Sequence, residues 1–195
     1  MLQAYPFLAA LITAIAVENT VFSRALGLTK PALNMKTVRS CIEYGSVFTW
    51  MLALSSMGAW TINWLLYDRP YARYARAIGF LLIVGLVYVG SQFLFEHYLP
   101  PHLVQLRRAL PLTTFNSALF GALYLNINRD FMPSLGYALG TGLGYTLALL
   151  IILYIRKSLI ARPVPRAFRG LSAMLIYIGL LSLGIYGLIG HGLPA

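Results

Sequence analysis

Six apolar stretches follow one another along this chain, at residues 5–28, 44–66, 77–97, 109–127, 132–155 and 171–190. A helix needs about 20 apolar residues to cross the hydrocarbon of a bilayer. The connections between the stretches are too short to hold a soluble domain. Inside a membrane every backbone N–H and C=O must find its partner in the protein, and a helix achieves this within one segment. The pattern therefore predicts an all-α polytopic membrane protein with six transmembrane helices, forming one domain over residues 1–195. Composition agrees. The chain is 59% hydrophobic and only 10% charged, where soluble domains carry about 25% charged residues.

The formal net charge of +10 is distributed between the spans, with no basic stripe of the kind that binds nucleic acid. The first, third and fifth connections hold eleven basic residues, counting Arg24 at the edge of the first, and the second and fourth hold four. Basic residues concentrate on the cytoplasmic side, so both termini are expected outside. The N-terminus lacks a basic region and a cleavage site, and reads as the first span. Cys41 is the single cysteine, which excludes an internal disulfide and a thiolate metal cage. His97, His102 and His191 have no zinc spacing, so no metal site is expected. No nucleophile triad, P-loop or dinucleotide fingerprint is present, so no catalytic residue is assigned.

Spans one and four are polar near their middles. One carries Glu18, Asn19 and Thr20, and the other carries Thr113, Thr114, Asn116 and Ser117. Aligned on their asparagines, NTVFSRALGL (Asn19 to Leu28) lies over NSALFGALYL (Asn116 to Leu125). Each opens one three-span half, about 1–99 and 100–195. An odd number of spans per half makes the second half inverted, and interrupted helices at matching positions of an inverted repeat point to a midplane site. A broken helix leaves backbone groups without partners, and lipid cannot supply them. Glu18, Asn19, Thr113, Thr114 and Asn116 are the candidate half-helix site. They either cap the half-helices or bind an ion or solute there. A carboxylate inside a span is a functional hypothesis by default.

Two further stretches stand out. Gly136, Gly140 and Gly144 line one helical face and admit a close neighbour, within the bundle or from a partner. DRPYARYARAI (Asp68 to Ile78) interleaves tyrosine and arginine, as suits a helix lying at the headgroups, serving as an anchor or as a binding surface.

The stretches NTVFSRALGL, LPLTTFNSALFGALYLNIN (Leu110 to Asn128), VPRAFRG (Val164 to Gly170) and GLLSLGIYGL (Gly179 to Leu188) together resemble the family that holds the A subunit of the Rnf electron-transport complex and the E subunit of Nqr. The resemblance implies a six-helix inverted repeat in the bacterial cytoplasmic (inner) membrane. It implies a sister membrane subunit of opposite topology and further complex subunits as partners, with the lipid bilayer around them and no nucleic acid. In the family the pair shares a two-iron iron–sulfur cluster, each subunit giving two cysteines. This chain departs from that pattern. The family's LGLC reads LGLT here, with Thr29 at the cysteine position, and the family's TTNC reads TTFNS, with Ser117 there. Hydroxyls replace both thiols, so the expectation is a divergent member with no cofactor of its own. The function expected is a structural or electron-relay subunit of an ion-translocating electron-transport complex, at most a non-catalytic part of a membrane oxidoreductase. The alternative is a cluster-free, transporter-like relative that moves a small ion or solute through the inverted-repeat site.

Overall fold

A computed structural model describes residues 4–66, 71–98, 104–161 and 170–189, and these are all-helical, with no strand among the described residues. α1 (Ala4–Ile12) runs on as a π-helical turn (Thr13–Val17). A short α2 (Lys30–Leu33) precedes the long α3 (Val38–Leu65). α4 (Ala72–Tyr98) follows, then α5 (Val104–Thr114) and α6 (Ser117–Leu125), separated by two residues. α7 (Phe131–Ala161) and α8 (Leu171–Ile189) complete the order. By length and composition, Tyr74–Tyr98 and Phe131–Leu159 are each long and apolar enough to cross a membrane.

α3 and α7 form the centre. Tyr44, Phe48, Met51 and Leu52 of α3 and Tyr137, Tyr145, Leu149 and Ile152 of α7 are fully buried. Small residues let the two helices close on each other. A Cβ on Gly45 would collide with Thr146, and one on Gly142 would collide with Thr49, so each helix offers a glycine to the other's threonine. The glycine stripe of α7 packs within the bundle. Added Cβ atoms on Gly136 and Gly140 would strike the carbonyl oxygens of Phe7 and Leu11, and one on Gly144 would lie 3.1 Å from Asn19 Nδ2. The contacts advance together along both elements, so α1 and α7 run parallel. α4 turns Leu81, Leu82, Leu86, Val89 and Phe93 outward, an apolar row suited to hydrocarbon.

Three expectations need correction or limits. The second half of span one is not a helix: residues 18–29 form turns and irregular chain. Ala25 and Gly27 sit at φ +54° and +84°, a conformation that ends a right-handed helix. The described part of DRPYARYARAI is no separate surface helix, because Ala72 onward forms the first turns of α4. No glycine or proline intervenes before Gly79, and extending a helix is easier than nucleating another. Asp68 to Pro70, His102, His191 and all of VPRAFRG except Gly170 lie outside the described residues.

Candidate functional site

Asn19 organises the break after α1. Glu18 caps the π turn, its N–H bonding Thr13 O at 2.8 Å. Asn19 Oδ1 accepts from the N–H groups of Val21 (3.0 Å) and Phe22 (3.3 Å), and its Nδ2 donates to Ile15 O (3.2 Å) and Gly144 O (3.1 Å). One buried amide thus closes the helix end, opens the following turn and ties both to α7. Beyond it, two helical-type bonds remain, from Ser23 N–H to Asn19 O at 2.8 Å and from Ala25 N–H to Val21 O at 3.0 Å, and irregular ones follow. Leu26 N–H reaches Thr20 O, and Thr29 N–H reaches Gly27 O, each at 2.8 Å.

The break in span four is built on Asn116, which is fully buried. Its extended backbone starts α6, and its Oδ1 accepts from Ala118 N–H at 3.1 Å, an ordinary N-cap. Upstream, Thr113 and Thr114 both donate to Leu110 O, at 2.9 and 2.8 Å. Tyr44 donates to Leu112 O at 3.0 Å. The two threonine bonds are back-bonds within α5, whereas Leu112 O in its last turn finds a hydroxyl partner outside the helix, as a buried backbone group must.

The two breaks meet at Tyr145. Asn116 Nδ2 donates to Tyr145 Oη at 2.8 Å and sits 3.5 Å from Tyr44 Oη, while Tyr145 Oη donates to Gly27 O at 2.9 Å. Gly27 N–H donates to Ser117 Oγ at 3.0 Å. A Cβ on Gly27 would meet the Tyr145 ring at 2.5 Å and Ala118 at 2.9 Å, so both its φ and its surroundings require glycine. Phe48 stacks on Tyr145 with ring centroids 4.3 Å apart. Thr29 Oγ1 is buried beside the Tyr44 phenol but makes no hydrogen bond of full geometry. Thr29 and Ser117 thus border one polar network. Ser117 also faces outward, and Phe115 beside it is 75% exposed.

Glu18 stands apart from Asn116. Its Oε2 lies 3.2 Å from Arg129 Nη2, and the Arg129 guanidinium sits 4.3 Å over the Tyr137 ring. The five predicted polar residues therefore occupy two neighbourhoods. They are linked through consecutive residues of α7, Gly144 accepting from Asn19 and Tyr145 from Asn116. Sequence reasoning missed Tyr44, Tyr145, Tyr137 and the Arg129 contact. The tyrosines read as ordinary span aromatics, and Arg129 lies 111 residues from Glu18. Cys41 is buried on α3, its Sγ 3.8 Å from Leu149 O. It is neither at Thr29 nor at Ser117.

A family model described as "Rnf-Nqr subunit, membrane protein" matches residues 7–191. The chain is 33% identical to the A subunit of the ion-translocating oxidoreductase complex of Syntrophotalea carbinolica, over 92% of this chain and 94% of that protein. It is 32% identical to the protein of the same name from Serratia proteamaculans, over 94% and 96%. For that of Vibrio vulnificus the figures are 30% identity over 92% and 95%.

Proposed function

The chain belongs to the Rnf-Nqr family of membrane subunits, and from that premise we propose that it is an integral subunit of an ion-translocating oxidoreductase complex of the bacterial cytoplasmic membrane. The observation that carries this reading is the match over nearly the whole length of both this chain and its relatives. On this reading the chain crosses six times as an inverted repeat, with α5 and α6 as one interrupted crossing and both termini outside.

The exposed breaks support a partner. Ser23, Arg24 and Ala25 are exposed where the chain is irregular, and so is Phe115 at the second break, with exposed Ser117 opening α6 beside it. Irregular backbone at membrane depth is tolerated only against protein or a water-filled cavity. A sister membrane subunit of opposite topology, pressed against this window, would supply that cover.

The donor set at the family's cysteine positions does not fit an iron–sulfur cluster. Thiolates bind such iron, whereas Thr29 and Ser117 present neutral hydroxyls, and Ser117 Oγ already accepts from Gly27 N–H. The chain then acts as scaffold beside the partner and holds no cluster through these positions.

The test is affinity purification of the full chain in mild detergent from its native host, followed by mass spectrometry and iron analysis. A second membrane subunit of the same family and further oxidoreductase subunits should co-purify. Purification alone from cells that express such subunits would overturn the assembly. A stoichiometric iron–sulfur EPR signal carried by this chain would overturn the cluster-free reading.

A further inference from the structure

We propose that a cavity between the opening turns of α3 and α5 holds the phosphodiester head of an anionic membrane phospholipid, with Arg108 as its ligand. The inference requires the chain to lie in a bilayer and does not depend on its partners.

The cavity has a volume of about 170 Å³. Pockets for drug-sized ligands hold roughly 300–1,000 Å³, so this one suits a headgroup, with the acyl chains left outside. Ser40 and Glu43 of α3 line it together with Gln105 and Arg108 of α5, and Ala109 and Leu112 continue the α5 wall. The two helices advance together. Ser40 shares the cavity with Gln105, and Tyr44, one turn on, donates to Leu112 O at 3.0 Å. The lining therefore passes from polar at the helix starts to apolar one turn further in. A phospholipid entering from the membrane surface has the same order, head first and hydrocarbon after. Leu112 is 43% exposed, so an acyl chain can lie against it.

Charge selects the ligand. Arg107 and Arg108 are neighbours with different roles. Arg107 donates to the carbonyl oxygens of Phe95 and Glu96, at 3.0 and 2.8 Å, and so ties α5 to the end of α4. Arg108 is exposed and has no hydrogen-bond or ion-pair partner among the described residues, and the exposed Gln105 amide has none either. Glu43 is the only carboxylate among the described residues that line the cavity. It is already engaged, its Oε1 lying 2.7 Å from Arg39 Nε. Arg156 adds positive charge at the wall, donating to Met35 O at 3.1 Å. The cavity thus holds an unpartnered guanidinium and an unpartnered amide in a positive field, with no free protein anion to meet them. Guanidinium matches a phosphate oxygen pair in both geometry and charge. Basic pockets between transmembrane helices bind anionic headgroups in this way.

The test is native mass spectrometry of the full chain with its co-purifying subunits, stripped of lipid in detergent and titrated with phosphatidylglycerol, phosphatidylcholine or inorganic phosphate. Phosphatidylglycerol should bind roughly five- to tenfold more tightly than phosphatidylcholine. Arg108→Gln should weaken that binding about tenfold, as for the loss of one charge-assisted hydrogen bond, and should erase the preference. Gln105→Trp crowds the cavity without changing charge and should weaken binding of both lipids. Both positions are exposed, so each variant should melt with the wild type when lipid is absent. Lys157→Gln removes an exposed charge of α7 that does not line the cavity, and should leave binding unchanged. Unchanged binding in Arg108→Gln overturns the inference, as does an equal loss in Lys157→Gln. Phosphatidylcholine binding as tightly as phosphatidylglycerol overturns it too. Inorganic phosphate that displaces the lipid at equal concentration overturns the lipid assignment in favour of a free anion. A complex that excludes phosphatidylglycerol, when the chain freed of its partners binds it, gives the cavity to a protein neighbour and overturns the inference.

Discussion

Tyr145→Phe removes a single oxygen from the point where the two chain breaks meet. Two hydrogen bonds go with it, the 2.8 Å bond from Asn116 Nδ2 and the 2.9 Å bond to Gly27 O. The phenyl ring still fills the same space and still stacks on Phe48, so no cavity forms. Hydrogen bonds within membrane proteins average about 0.6 kcal/mol, and buried ones in general reach about 1.5, so two of them predict a loss of roughly 1–3 kcal/mol. Gly27 O keeps its bond from Thr29 N–H, which argues for the lower half of that range. Asn116 Nδ2 keeps only the 3.5 Å approach to Tyr44, which argues for the upper. The assay is reversible unfolding by SDS in mixed micelles, with Asn116→Ala and the double variant completing a cycle. A coupling of about 0.5–1.5 kcal/mol between positions 116 and 145 is expected for residues sharing a direct bond. If Tyr145→Phe unfolds with the wild type and the coupling is nil, the asparagines are local caps only, and the meeting of the two breaks contributes nothing.

Gly140→Ala should destabilise by roughly 1–3 kcal/mol, since its Cβ would press on the Leu11 carbonyl oxygen where overpacking cannot relax. The same SDS titration checks it, with Gly184→Ala, which meets nothing within 4 Å, as the neutral control. Cys41 is fully buried, so maleimide should label it far more slowly in the folded protein than after SDS unfolding. Equal rates would place the thiol at the surface. Thr29→Cys combined with Ser117→Cys, expressed with the proposed sister subunit, should recover bound iron if the two positions still border a cage. No gain in iron or labile sulfide over wild type would refute that geometry.

The bundle was legible in the sequence because hydropathy over twenty residues survives any detail of packing. The breaks were legible too, because an asparagine within an apolar span has few uses other than satisfying backbone groups, as Asn19 and Asn116 do. The shape of the first break was hidden. Val21, Phe22, Leu26 and Leu28 have the same hydropathy in a helix as in an irregular chain, and only Gly27 hinted at a left-handed turn. The partner of Glu18 was hidden for a different reason. A carboxylate in a span calls for a cation, but Arg129 sits in a connection and reaches inward by its side-chain length, which no spacing rule encodes. Tyr44 and Tyr145 were hidden because tyrosine in a membrane helix reads as bulk until its hydroxyl is located.

The seating of α1 on the glycine face of α7 bears on the order of events during synthesis. Asn19 finds its acceptor on Gly144, 125 residues downstream. The first helix to leave the ribosome thus has no dock until the fifth apolar stretch has entered the bilayer. In the interval Asn19 lacks that acceptor and, until just before α7, Glu18 lacks Arg129, and contacts so distant in sequence form late. A chain stopped before α7 would already hold Arg129 for Glu18, but the Asn19 amide would still lack the Gly144 carbonyl. The oldest part of the nascent protein is therefore seated only once α7 has been made.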